Sequence, residues 1–189
     1  MKQILQNLTT GKTLIEESPA PVVSANTLII NTCNSLISSG TERMLIDFSK
    51  ANPLDKAKKQ PEKLKMIADK ILSDGFGTTI SAVKSKLSQP LPLGYCNVGV
   101  VSEVGQGVDD FKVGDRVVSN GPHADVVKVN KNLCAKIPDS VDDEAAVFVV
   151  VASIGLQAIR LAKPTVGESF AVFGVGLIGL LTVQLLRAQ

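Results

Sequence analysis

Gly174-Val175-Gly176-Leu177-Ile178-Gly179 is the stretch of this sequence whose residue types and spacing most directly allow chemistry. The apolar run Phe170-Ala171-Val172-Phe173 precedes it and an apolar segment from Leu180 to Leu186 follows, so the pattern predicts a strand, a glycine loop and a helix. In that setting the first glycine permits a tight turn, the second lets a pyrophosphate approach the backbone, and the third lets the helix pack close to its strand. The helix N-terminus then offers free N–H groups and a partial positive charge to the phosphates. The competing reading is a glycine-rich turn between two core elements.

Other chemistry-bearing residues are sparse. The small polar cluster Ser38-Ser39-Gly40-Thr41-Glu42 either caps a short helix, through Ser39 or Thr41 with Glu42 in its first turn, or belongs to an active site. His123 is the one histidine of the chain, which excludes a multi-histidine metal site. Cys33, Cys96 and Cys134 are odd in number, widely spaced and without a C-x-x-C pair, so free thiols in a reducing compartment are expected and a structural zinc lobe is not.

A chain of 189 residues is long enough for one good core, or for one domain and part of another. Its hydrophobic and charged content is that of an ordinary soluble globular protein, which excludes global disorder. A formal charge of +2, few aromatic residues and no tryptophan do not support a nucleic-acid surface of basic groups interleaved with stacking rings. The N-terminus has no sustained apolar core of a signal peptide, and no run of about 18 apolar residues could span a bilayer. A cytoplasmic protein without membrane or nucleic-acid partners is expected.

Several elements must position these residues. Lys2 to Leu8 and Thr13 to Glu17 read as strands around a turn at Thr10-Gly11-Lys12, and Thr27 to Cys33 as a further strand. From Lys50 to Gln89 apolar residues recur at helical spacing among lysines, with Pro61 starting a second helix, a turn at Asp74-Gly75-Phe76-Gly77 and a short helix over Thr79 to Leu87. Leu91 to Val104 returns to strand, Gly114-Asp115 turns into a strand through Val118, and His123 to Val129 alternates like another. Ser140 or Asp139 is the expected N-cap of apolar helices over Ala145 to Ala152 and Ser153 to Ala162.

Val98 to Gly105, Phe111-Lys112-Val113-Gly114-Asp115-Arg116-Val117, Lys136-Ile137-Pro138 and the glycine loop together resemble the medium-chain dehydrogenase/reductase superfamily of alcohol dehydrogenases and quinone reductases. The likeness covers nearly the whole chain apart from the helical insert. It implies a mainly β GroES-like barrel domain over residues 1–140, with an α-helical insert at about 50–89, followed over 141–189 by linker helices and the first strand and helix of an α/β Rossmann domain. SGTER with its lysine-rich insert, LPLGYCNVGVV and SNGPHADVV more narrowly resemble the dehydrogenase-like half of bacterial two-domain oxidoreductases of surface-polysaccharide synthesis. That implies a small carbonyl or alcohol substrate, sugar-related by association.

The departures from the family pattern carry as much weight. Where zinc-dependent members place a cysteine ligand, this sequence has Ser39-Gly40-Thr41-Glu42, and where they place histidine and glutamate it has Tyr95 and Cys96. A hydroxyl and a phenol are poor zinc ligands, so no catalytic zinc is expected. Hydride transfer then needs another group at the developing alkoxide. Tyr95, assisted by Ser39 or Thr41, could donate the proton or hydrogen bond, while Glu42 or His123 could orient substrate or relay a proton. Each residue has a structural alternative: Tyr95 satisfied by backbone, Glu42 paired with Arg43 or Arg116, His123 in an exposed turn.

The resemblance implies NAD or NADP at Gly174, Val175, Gly176, Leu177, Ile178 and Gly179. The residues that distinguish the two lie about 20 positions past the glycine loop, beyond Gln189, so a chain truncated in its Rossmann domain is expected to bind either one weakly. The competing function is a non-catalytic GroES-like fragment that self-associates through its apolar 145–189 region, and a homo-oligomer is expected.

Overall fold

Leu28, Ile29 and Ile30 are consecutive and all buried, which a strand achieves only when both faces of its sheet are covered. They open β3 (Thr27–Ser35), the strand around which the larger sheet is built. In this computed structural model, which describes residues 1–50 and 89–188, the chain forms two compact units, one of Met1–Lys2, Ser18–Ser38 and Gly94–Gln189 and the other of Gln3–Glu17 and Ser39–Leu93. The helices expected between Lys50 and Gln89 lie outside the described residues.

The first unit holds a five-stranded sheet in which β3 is flanked by β5 (Asn97–Val104) and β7 (Val126–Asn130), with β6 (Arg116–Ser119) and β8 (Cys134–Lys136) continuing beyond β5. All of its pairings are antiparallel. Alternation along the strands sorts the core into two clusters. Val117 faces one with Leu28, Ile30, Val101, Val127 and Val129, and its neighbour Val118 faces the other with Cys96, Val98 and Ile137. The second cluster is closed by Ala146 of α2 (Asp143–Ala146) and Val151 of α3 (Val149–Ala162).

Asp142, not Ser140 or Asp139, caps α2: its Oδ1 accepts from the Ala145 N–H at 2.6 Å. The three acids at 142–144 left the choice of cap open, and the one whose backbone is extended and whose carboxylate reaches back takes it. α4 (Leu177–Ala188) forms where the pattern placed a helix. The Phe170–Phe173 run, expected as a strand, pairs with no ladder among the described residues, and Phe173 is 97% exposed. A strand needs a neighbour to satisfy its backbone, and none of the described strands pairs with this run.

In the second unit β1 (Lys2–Gln6) lies between β2 (Thr13–Glu17) and the short β4 (Leu91–Pro92). The turn at Thr10-Gly11-Lys12 is organised by Asn7, whose Oδ1 accepts from the Thr9 and Thr10 N–H groups, each at 2.9 Å. α1 (Ser39–Lys50) closes on this sheet through a buried amide: Gln6 Nε2 donates to Ser49 Oγ at 2.7 Å, and Thr13 donates to Gln6 Oε1 at 2.6 Å. The run Leu91–Val104 is not one strand, because the chain turns at Gly94, with φ +86°, between β4 and β5.

Candidate active site

The polar end of the larger sheet begins inside β3, where the apolar Leu28-Ile29-Ile30 gives way to Asn31-Thr32-Cys33-Asn34-Ser35. Ser35 lies opposite Asn97 of β5, and Asn97 in turn opposite Ser119 of β6. Asn97 is fully buried and compensated: it donates to Thr32 Oγ1 at 2.8 Å and accepts from Ser119 Oγ at 3.3 Å. The Gly121 N–H donates to Ser119 Oγ at 3.2 Å, which starts the loop that carries His123.

His123 is buried, not in an exposed turn, and its Nδ1 lies 2.9 Å from Ser35 Oγ. A Cβ placed on Gly94 would stand 2.7 Å from each of three atoms of the imidazole, so Gly94 lies against the face of the ring. The next residue is Tyr95, half-buried, whose hydroxyl donates to Ser38 Oγ at 2.8 Å. Its ring packs on the same cluster as Leu177, the residue that follows the second glycine of the loop. Cys96, the residue after Tyr95, has no exposure and belongs to that cluster.

The glycine loop has the local features its spacing predicts. Gly174 has φ +95°, a turn conformation that side-chain-bearing residues rarely adopt. Gly176 has nothing within 4 Å of where a Cβ would be, which leaves its backbone open to a ligand. A Cβ on Gly179 would collide with the Gly174 carbonyl, so the third glycine permits the first turn of α4 to close over the loop. The Leu180 N–H donates to the Gly176 carbonyl at 2.9 Å, so the loop N–H groups ahead of it point out of the helix. These residues fit a pyrophosphate.

Ser39, Thr41 and Glu42 belong to the second unit, as the first turn of α1; Ser39 and Thr41 are exposed and Glu42 is buried. Arg43 pairs with Asp47, and Arg116 with Asp143 at 2.6 Å, which raises the Arg116 pKa further; Arg116 Nη2 also donates to the Val141 carbonyl at 2.9 Å. Among the described residues no group of three or more His, Cys, Asp and Glu is arranged to hold a metal ion, and no helix is long and apolar enough to cross a membrane. Sequence reasoning missed Ser35 and Asn97, and named Ser38 only as part of its polar cluster. The switch from apolar to polar residues inside β3 was the available signal for Ser35.

Residues 70–158 match the family model of the alcohol dehydrogenase GroES-like domain. Over that stretch the chain is similar to the GroES-like domain of alcohol dehydrogenases. Among curated proteins it is similar to (R,R)-butanediol dehydrogenase of Bacillus subtilis strain 168, with 32% identity over 52% of this chain and 36% of that one. It is also similar to D-guloside 3-dehydrogenase of Escherichia coli K12, with 34% identity over 50% of this chain and 28% of that one. The matched part thus spans about a third of the length of these relatives. Of solved structures, the 2R,3R-butanediol dehydrogenase of Bacillus subtilis superposes with TM-score 0.68 and 22% identity over 99% of this chain and 55% of that one. An Escherichia coli CFT073 alcohol dehydrogenase complexed with NADH superposes with TM-score 0.72 and 21% identity over 99% of this chain and 53% of that one. These likenesses show the fold: a GroES-like domain followed by part of a Rossmann domain.

Proposed function

We propose that this chain supplies the substrate-side domain and the glycine loop of a zinc-independent, nicotinamide-dependent oxidoreductase that interconverts an alcohol and a carbonyl on a polyol or sugar-related molecule. One observation carries the reading: the Tyr95 hydroxyl is held on Ser38 while its ring shares a buried cluster with Leu177 of the glycine loop. The names of the relatives, dehydrogenases of butanediol, sorbitol and a guloside, support the substrate class. Its narrower assignment to surface-polysaccharide chemistry rests on the SGTER, LPLGYCNVGVV and SNGPHADVV motifs.

NAD or NADP, held at Gly174, Gly176 and the N-terminus of α4, supplies or accepts the hydride when bound. The protein's part is the proton. In the reducing direction the hydroxyl pair reverses so that Ser38 donates to Tyr95 Oη. The freed phenol proton passes to the substrate oxygen as negative charge develops there, leaving a phenolate that accepts from Ser38. In the oxidising direction the phenolate takes the proton back. The proposal asks nothing of Ser39, Thr41 or Glu42.

The test is turnover of secondary polyols with NAD or NADP by the full-length enzyme after chelation. Activity should survive, and Tyr95→Phe should lower kcat by about 100-fold, within the range of general acid catalysis. Activity abolished by the chelator and restored by zinc would overturn the reading.

A second reading is favoured by the exposure of Phe170, Phe173, Val175, Ile178 and Leu180: a GroES-like module that self-associates through residues 145–189. Sedimentation showing a clean monomer of this chain at micromolar concentration would count against it.

A further inference from the structure

The loop from Gly121 to Asp125 is tied down at both ends. Ser119 accepts from the Gly121 N–H at 3.2 Å, while Asp125 accepts at its carbonyl from the Thr32 N–H and donates its own N–H to the Lys2 carbonyl, each at 2.9 Å. His123 is therefore presented from a fixed backbone, and the contact of its Nδ1 with Ser35 Oγ at 2.9 Å orients the ring. The face of that ring is the surface on which Gly94 lies. Gly94 is constrained twice over: its φ of +86° disfavours any side chain, and a Cβ would run into the imidazole at 2.7 Å.

We propose that His123 is a positioning residue for Tyr95: its imidazole is the wall against which the Gly94 turn seats, and that seating directs the Tyr95 hydroxyl at Ser38. The role differs from a proton relay, because the contact made with the turn is a ring face and not a ring nitrogen. It also accounts for a histidine on a loop whose neighbours Ala124 and Val127 are apolar core residues. A flat, rigid ring meets Ser35 at Nδ1 and still packs against a glycine backbone.

The inference deepens the reading of Tyr95 as the proton donor, yet it can be tested apart from catalysis. Tyr95 is the single tyrosine and the chain has no tryptophan, so tyrosine near-ultraviolet circular dichroism and acrylamide quenching report this residue alone. His123→Ala should lose the Tyr95 dichroic band and open the phenol to quencher, and Gly94→Ala should do the same. His123→Phe, which keeps a flat ring, should restore much of the band. Val129→Ala, a core truncation in the other cluster, controls for general loosening and should leave the band intact. A Tyr95 band unchanged in His123→Ala, a phenylalanine variant no better than alanine, or an equal loss in Val129→Ala would each overturn the proposal. Failure of the catalytic reading is distinguishable: Tyr95→Phe would then keep full turnover while the spectral response of Tyr95 to His123→Ala stood.

Discussion

Asn97 donates its side-chain N–H to Thr32 Oγ1 at 2.8 Å from a position with no solvent exposure. The pair bridges β5 and β3 at the point where the register between them shifts, around Thr32 and Asn34. A bulge leaves backbone spacing irregular, and a side-chain bond across it restores the pairing.

Asn97→Ala takes away the acceptor of the buried Ser119 hydroxyl and the donor to the half-buried Thr32 hydroxyl. The expected destabilisation is about 1–3 kcal/mol, the cost of leaving buried polar groups without partners. Denaturant unfolding with an unchanged m-value measures it; a loss within error of zero would show that the site rehydrates.

Gly155 of α3 packs its Cα against the side chain of Thr182 of α4, and a Cβ there would stand 3.4 Å from Thr182 Cβ and closer still to its Oγ1. Thr182 Oγ1 is not free to swing away, since it donates to the Ile178 carbonyl at 2.7 Å. Gly155→Ala should therefore destabilise by about 1–3 kcal/mol through overpacking, despite the better helix propensity of alanine. Adding Thr182→Ala should recover most of that loss, and a double-mutant cycle by thermal unfolding reads the coupling. Simple additivity of the two substitutions would refute the contact.

Asp115 accepts from the Lys112 N–H at 2.9 Å and pairs with Lys136 Nζ at 2.9 Å, and these bonds hold its carboxyl below the ordinary 3.8. A carboxyl whose pKa is lower in the folded state stabilises the fold above its unfolded pKa and loses that contribution as pH falls through the folded value. Asp115→Asn should lower Tm at neutral pH, and the gap to the parent protein should close in acid below 3.8. Thermal melts across that range test it, and a gap that persists undiminished in acid would contradict the assignment.

The three thiols should differ in reactivity. Cys33 is exposed, Cys96 is fully buried, and burial pushes the Cys134 thiol up to about 11. Since the thiolate is the reactive form, alkylation under mildly alkaline conditions should label Cys33 first and Cys134 slowly. Cys96 should react only after unfolding. Peptide mass spectrometry along a time course gives the order, and early labelling of Cys96 would contradict its place in the core.

The sequence by itself determined what short spacing controls. The glycine loop and α4 follow from adjacent residues, and Gly174, Gly176 and Gly179 take the turn, the open approach and the close packing their positions predict. The β3, β6 and β7 strands were legible because alternation and β-branched residues act within a few positions. The resemblance to the alcohol dehydrogenase superfamily was readable from motifs distributed along the same strands.

Tertiary structure decided the partners. Tyr95 and Ser38 are 57 positions apart, and His123 and Ser35 are 88 apart, so no local pattern could pair them. The motif pointed to Ser39, but the hydroxyl that meets Tyr95 is its neighbour Ser38, a choice made by the direction in which the chain leaves β3. From the sequence His123 could orient substrate, relay a proton or sit in an exposed turn; the fold buries it and sets its ring against Gly94. Phe170–Phe173 has the composition of a buried strand and is not one here, because a ladder depends on a neighbouring strand and not on the run's own residues.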